Sequence, residues 1–155
     1  METAKPSIVP PGAGERLAVV GDIYTYLSTG ADTDGKFALM HGVIFPDAGP
    51  PPHTHANEDE AFYVLKGTVA IYDDGERTEA KPGTWIRLPR GTRHWFRNES
   101  DEPVEMLIHV APAGLEEFFR GVGTPWDSDE RPPLPTEEDI KKLKAKAPEF
   151  GLNIG

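Results

Sequence analysis

Four side chains stand out as a set of metal donors: His53, His55, Glu60 and His94. In His53-Thr54-His55 the two imidazoles are two residues apart, and an extended chain turns such residues to the same face. Glu60 opens the next apolar run, and a turn at Asn57-Glu58 brings its carboxylate back to the pair. Glu58 and Asp59 are the alternative carboxylates. His94 follows the Pro89-Arg90-Gly91 turn, near the mouth of a strand, where it supplies a third imidazole. Imidazoles with one carboxylate form a mixed nitrogen and oxygen set suited to a divalent first-row metal. An ion held this way lowers the pKa of a bound hydroxyl or enol. Glu60, free or weakly bound, is the group to take that proton, so it is read as ligand and catalytic base together.

Those donors must sit on short strands. Gly and Pro number 16 each and mostly punctuate brief apolar runs, a pattern of strands and turns. Strand character appears at 17–20, 23–27, 37–45, 62–65, 68–72, 78–80, 85–88, 94–97 and 104–110. Asp74-Gly75 predicts a tight hairpin, because both residues tolerate positive φ. Pro82-Gly83 supplies a further turn. Nine short strands point to a closed barrel or a sandwich, an all-β fold. Residues 1–14 read as an extended arm and 15–112 as the barrel. Residues 113–155 read as a helical extension. In the last part, Leu115, Phe118 and Phe119 have helical spacing and cap one barrel end. Thr136-Glu137-Glu138-Asp139 opens a second helix, whose stripe of Ile140, Leu143 and Ala147 packs on the barrel or on a second subunit.

Around the donors, Phe62, Val64, Phe96 and Met106 share the alternation of inward groups and are candidate pocket residues. His41 and His109 lie in strand-like runs and are candidates to line the same pocket. The formal net charge of −10 repels phosphate backbones and anionic lipid heads, which argues against nucleic-acid and membrane partners. With no cysteine, thiolate chemistry is excluded. The first residues lack a secretory pattern and no stretch reaches the ~18 apolar residues of a membrane helix, so a cytoplasmic location is expected.

The two segments carry a resemblance. His53, His55, Glu60 and Gly67 resemble the first cupin motif, and Gly83, Pro89, Gly91, His94 and Asn98 match the second at every position. One departure is Gly49, which lies four residues before His53 where the motif has six. More loosely, the whole chain is similar to small single-domain cupins grouped with flavonol (quercetin-type) dioxygenases. The resemblance implies a cupin (double-stranded β-helix, jelly-roll) barrel of two antiparallel sheets, usually a homodimer. It implies one divalent transition metal ion per subunit, drawn from Fe, Ni, Mn, Co, Cu or Zn, on the three histidines and Glu60. The leading expectation is a dioxygenase acting on a small aromatic or enolisable substrate. Cupins also include oxygen-independent isomerases, cyclases and decarboxylases, and non-catalytic binders, so the fold alone does not choose.

Overall fold

The computed structural model describes residues 5–155, so the first four residues of the expected arm lie outside the described ones. Twelve strands form two antiparallel sheets. In chain order they are β1 Arg16–Val19, β2 Asp22–Ser28, β3 Ala38–Ile44, β4 His53–His55, β5 Asp59–Lys66, β6 Val69–Asp73, β7 Glu76–Ala80, β8 Trp85–Leu88, β9 Arg93–Arg97, β10 Val104–Ala111, β11 Thr124–Pro125 and β12 Leu152–Ile154. The larger sheet runs β11-β1-β2-β3-β10-β5-β8, and the smaller β12-β4-β9-β6-β7. The fold is all-β with a short helical extension, as the sequence predicts.

The core lies between the two sheets. Along β3 and β10 every second residue is buried, so Met40, Ile44, Met106 and Ile108 face inward while His41 and His109 face out. From β5 come Phe62 and Val64, and from the facing sheet Ile71 and Phe96. The Phe62 and Phe96 rings meet edge to face with centroids 5.3 Å apart, joining the layers. Asp74 and Gly75 make the predicted hairpin with φ of 43° and 104°, and Asp73 pairs with Glu76 across it. Asn98, the last residue of the second motif, is fully buried. Its amide donates to the carbonyls of Ile44 and Glu102, and its side-chain oxygen accepts from Ser100. That residue is a knot between loops rather than a ligand.

Among the described residues three α-helices accompany the strands, α1 Gly30–Thr33, α2 Leu115–Val122 and α3 Glu137–Lys146, and a 3-10 turn at Ala147–Phe150 follows the last. Leu115 and Phe118 of α2 and Leu143 of α3 are buried. Thr136 and Asp139 form the reciprocal cap that starts α3, with bonds of 3.1 and 2.8 Å. Glu116 on α2 is buried, and its carboxylate accepts from the backbone N–H groups of Gly30 and Gly114, both at 2.6 Å. Tyr26 donates to the Glu116 carbonyl. These bonds fasten α2 to the barrel. Among the described residues no helix is long and apolar enough to cross a membrane.

Candidate metal centre

β4 carries His53 and His55 on one face and lies between β9 and β12. His53 is opposite His94 in the β4–β9 ladder, which brings the third imidazole alongside the first two. The His53 ring centroid lies 4.8 Å from that of His55 and 4.6 Å from that of His94. Glu60 arrives from β5 in the other sheet. Its Oε1 lies 3.0 Å from His94 Nε2 and 3.3 Å from His55 Nε2. One donor atom from each of the four residues falls within 4.8 Å of the others. Of the three neighbouring carboxylates, Glu60 points into the cluster, whereas Glu58 turns to His55 and Asp59 accepts from the backbone and side chain of Arg90.

The rings are fixed from behind. His53 Nδ1–H donates to the Pro51 carbonyl at 2.9 Å, and His55 Nδ1–H donates to buried Glu58 at 2.9 Å. Those bonds set the tautomer and leave each Nε2 lone pair for the centre. His55 Nε2 and His94 Nδ1 are buried without a hydrogen-bond partner among the described residues. His94 is therefore the least anchored of the three rings.

The electrostatics of the cluster favour a cation. Burial pushes the His53 imidazole down to about 4, with Glu60 pulling the other way and His55 and His94 adding to the fall. Burial acts the same way on His55, but Glu60 and Glu58 outweigh it and raise that ring to about 10. Burial favours the neutral acid at Glu60, yet His55 and His94 hold it well below the usual carboxylate range. The cluster thus keeps an ionised carboxylate and draws positive charge to it. A divalent cation meets that demand in place of a proton. The Glu60 distances of 3.0 and 3.3 Å suit a shared ion, since two donors each ~2.1 Å from it stand about 3.0–3.4 Å apart across right-angle to tetrahedral angles. The residues present fit a metal ion.

An apolar cavity adjoins the cluster. It encloses about 70 Å³ and widens into an open mouth, about 640 Å³ in all. Besides His53, His55 and Glu60, its wall includes Phe96, Ile108, Leu115, Phe118, Leu143 and Leu152. Of the expected pocket residues Phe96 lines it. Phe62, Val64 and Met106 are buried in the core away from it. His41 and His109 are corrections, since both stand on the outer face of the larger sheet. His41 Nε2 is 3.1 Å from Glu105, and the His109 ring stacks on Phe37 at 5.4 Å. Sequence reading missed Asp22, Tyr24 and the β12 residues on the cavity wall. It also missed Glu58 as the His55 anchor, although the spacing His55-x-x-Glu58 holds that signal.

Comparison with known proteins agrees with this geometry. The Cupin domain family model matches residues 40–110. Quercetin 2,3-dioxygenase of Bacillus subtilis is 28% identical over 129 residues, 80% of this chain and 36% of that protein. Polyketide synthase CurC of Streptomyces cyaneus is 31% identical over 94 residues, 59% of this chain and 60% of that protein. The chain thus spans between about a third and three fifths of these curated relatives. Among solved structures, a predicted oxalate decarboxylase from Thermotoga maritima superposes with a TM-score of 0.64 at 18% identity, covering 68% of this chain and 99% of that one. A sugar phosphate isomerase from Silicibacter pomeroyi gives 0.54 at 26% identity, covering 61% of each chain. With the paired motifs, the two-sheet barrel and the matched segment in agreement, residues 40–110 of this chain are a cupin domain.

Proposed function

We propose that the chain is a metal-dependent dioxygenase for a small aromatic or enolisable compound, the class to which flavonols belong. The observation that carries this reading is a three-histidine, one-carboxylate cluster opening on an apolar cavity. The likeness to quercetin 2,3-dioxygenase supports the choice of reaction. A divalent ion held by His53, His55, Glu60 and His94 would polarise a bound hydroxyl or enol and lower its pKa. Glu60, released from the ion or only weakly bound to it, would accept that proton. Glu58 and the Pro51 carbonyl keep the His55 and His53 rings in place while it does so. Phe96, Leu115, Phe118 and Leu152 exclude water from the resulting anion, which then meets oxygen in a dry space.

Oxygen uptake tests the reading. Protein loaded in turn with Fe, Mn, Co and Ni is expected to consume oxygen when offered a panel of flavonols. Glu60→Gln is expected to lower turnover by about 10²-fold. No turnover with any of these metals would remove the dioxygenase. A second reading, oxygen-independent isomerisation, cyclisation or decarboxylation of an enolisable compound, uses the same carboxylate. The likeness to a Streptomyces polyketide synthase protein favours it. Undiminished turnover without oxygen selects that reading instead.

A homodimer is a further part of the proposal. The apolar stripe of α3 is already buried within the chain through Leu143, so another face must serve. The outer face of the larger sheet leaves Tyr63, Leu65 and Trp85 exposed beside the edge strand β8. Light scattering is expected to give about twice the 17.0 kDa of one chain. A single-chain mass at every concentration would refute it.

A further inference from the structure

The cavity wall holds two polar groups that the metal cluster does not use. Asp22 opens β2 and Tyr24 follows two residues later, so both turn inward. Asp22 is 1% exposed and Tyr24 5%. Asp22 Oδ1 accepts from the Phe45 N–H at 3.0 Å, which steadies the chain after β3. Neither Asp22 Oδ2 nor the Tyr24 hydroxyl has a hydrogen-bond partner among the described residues. Neither is sealed in protein either, because the unpartnered buried atoms there are His55 Nε2 and His94 Nδ1. Both groups open on the cavity.

Their placement is built rather than incidental. The Tyr24 ring lies over Gly42, where an added Cβ would stand 3.4 Å from the ring. Its centroid is 4.7 Å from that of Phe119. Apolar contacts therefore aim the hydroxyl, with no hydrogen bond holding it. For Asp22, a structural role explains Oδ1 alone, and an asparagine would hold Phe45 as well without burying an ionisable group. Burial pushes the Asp22 carboxyl up to about 8, with the Phe45 N–H and Arg131 acting against it. Near neutrality it therefore stands as an acid with a proton to donate. Elsewhere on the wall, Phe96, Ile108, Leu115 and Phe118 offer no polar side-chain atom.

We infer that Asp22 and Tyr24 form a second anchoring point in this cavity, receiving an uncharged hydroxyl or keto oxygen of the substrate whose acidic hydroxyl or enol meets the metal cluster. For the substrate's orientation this rests on the metal-centre reading above. The Tyr24 hydroxyl and the Asp22 acid donate to the lone pairs of that oxygen. An analogue lacking it leaves two buried donors unpaired, so the site discriminates against it.

Kojic acid and allomaltol, hydroxypyranone chelators that differ by one hydroxyl, test the anchor by calorimetry on zinc-loaded protein. Kojic acid is expected to bind about ten-fold more tightly than allomaltol. Tyr24→Phe and Asp22→Val should each erase that preference while leaving allomaltol affinity within about two-fold. Asp22→Asn keeps the acceptor for Phe45 and supplies an N–H donor, so it should retain most of the preference. Equal wild-type affinities, with zinc bound, overturn the anchor and leave the metal centre standing. Failure to take up zinc strikes the metal centre instead. The anchor is then read with phenol on metal-free protein, where Tyr24→Phe should weaken binding about five-fold. No change there overturns it.

Discussion

His94→Ala is expected to weaken divalent-metal binding by at least ~100-fold, measured by competition against a chelating indicator. Losing an outer partner of a metal-bound histidine already costs ~10–100-fold, and His94 is placed to bind directly. The effect should reach stability. An ion present at ~100 times its dissociation constant adds ~2.7 kcal/mol to the folded state. For a chain of this size that is about 5–10 °C in thermal midpoint, lost on chelation and absent in the variant. Because His94 is buried, alanine also leaves a cavity, so the comparison must include metal-free protein. His41→Ala and His109→Ala remove imidazoles from the outer face and should leave metal affinity unchanged. If His94→Ala binds metal as the parent does, the four-residue centre is wrong.

Gly49→Ala is expected to be the most damaging single methyl in the chain. Gly49 has a φ of +148°, and a Cβ there would lie 2.1 Å from the Phe96 carbonyl oxygen and 3.1 Å from the Arg97 Cα. Both obstacles are backbone atoms of β9, which cannot rotate aside. The strand could yield only by moving His94 with it, two residues before Phe96. Adjacent hydrogen bonds oppose such movement, since Asp47 N–H donates to the Asn98 carbonyl at 2.8 Å and Asn98 N–H to the Ala48 carbonyl at 3.0 Å. Backbone strain alone costs ~1–3 kcal/mol, and the overlap adds to it. Against a total stability of ~5–15 kcal/mol, a loss of ~4 kcal/mol or more leaves little soluble protein. Gly75→Ala is the comparison: its φ is +104°, but nothing lies within 4 Å of the added carbon. It should cost ~1 kcal/mol. Equal thermal midpoints for the two variants would refute the steric account. The short spacing between Gly49 and His53 thus does not remove the glycine's purpose, which is close passage beneath β9.

Much of this is legible in the sequence. The His-x-His spacing, the turn before His94 and the Asp74-Gly75 hairpin each follow from local chemistry that tertiary packing leaves alone. The outward histidines show where the pattern was ambiguous and where it was misread. On β3, Leu39 and Val43 alternate with Met40, Gly42 and Ile44, so both faces are apolar and hydrophobicity does not choose between them. On β10 the signal was present. Met106 and His109 are three residues apart and cannot share a face of one strand, and Glu105 marks the outer side with His109. The pairings of β11 and β12 were beyond reach, because runs of two and three residues carry no periodicity. Asp22 escaped for another reason: an aspartate just after a Val20-Gly21 turn looks like ordinary turn chemistry until the cavity behind it is seen.

The division of the imidazoles has a practical side. Of five histidines in the chain, three surround the cluster and two stand on the far surface of the larger sheet. Following the imidazole protons by magnetic resonance while a metal ion is added therefore samples both populations in one tube. The signals of His53, His55 and His94 should move with the ion, and those of His41 and His109 should keep their places. The molecule carries its own internal reference.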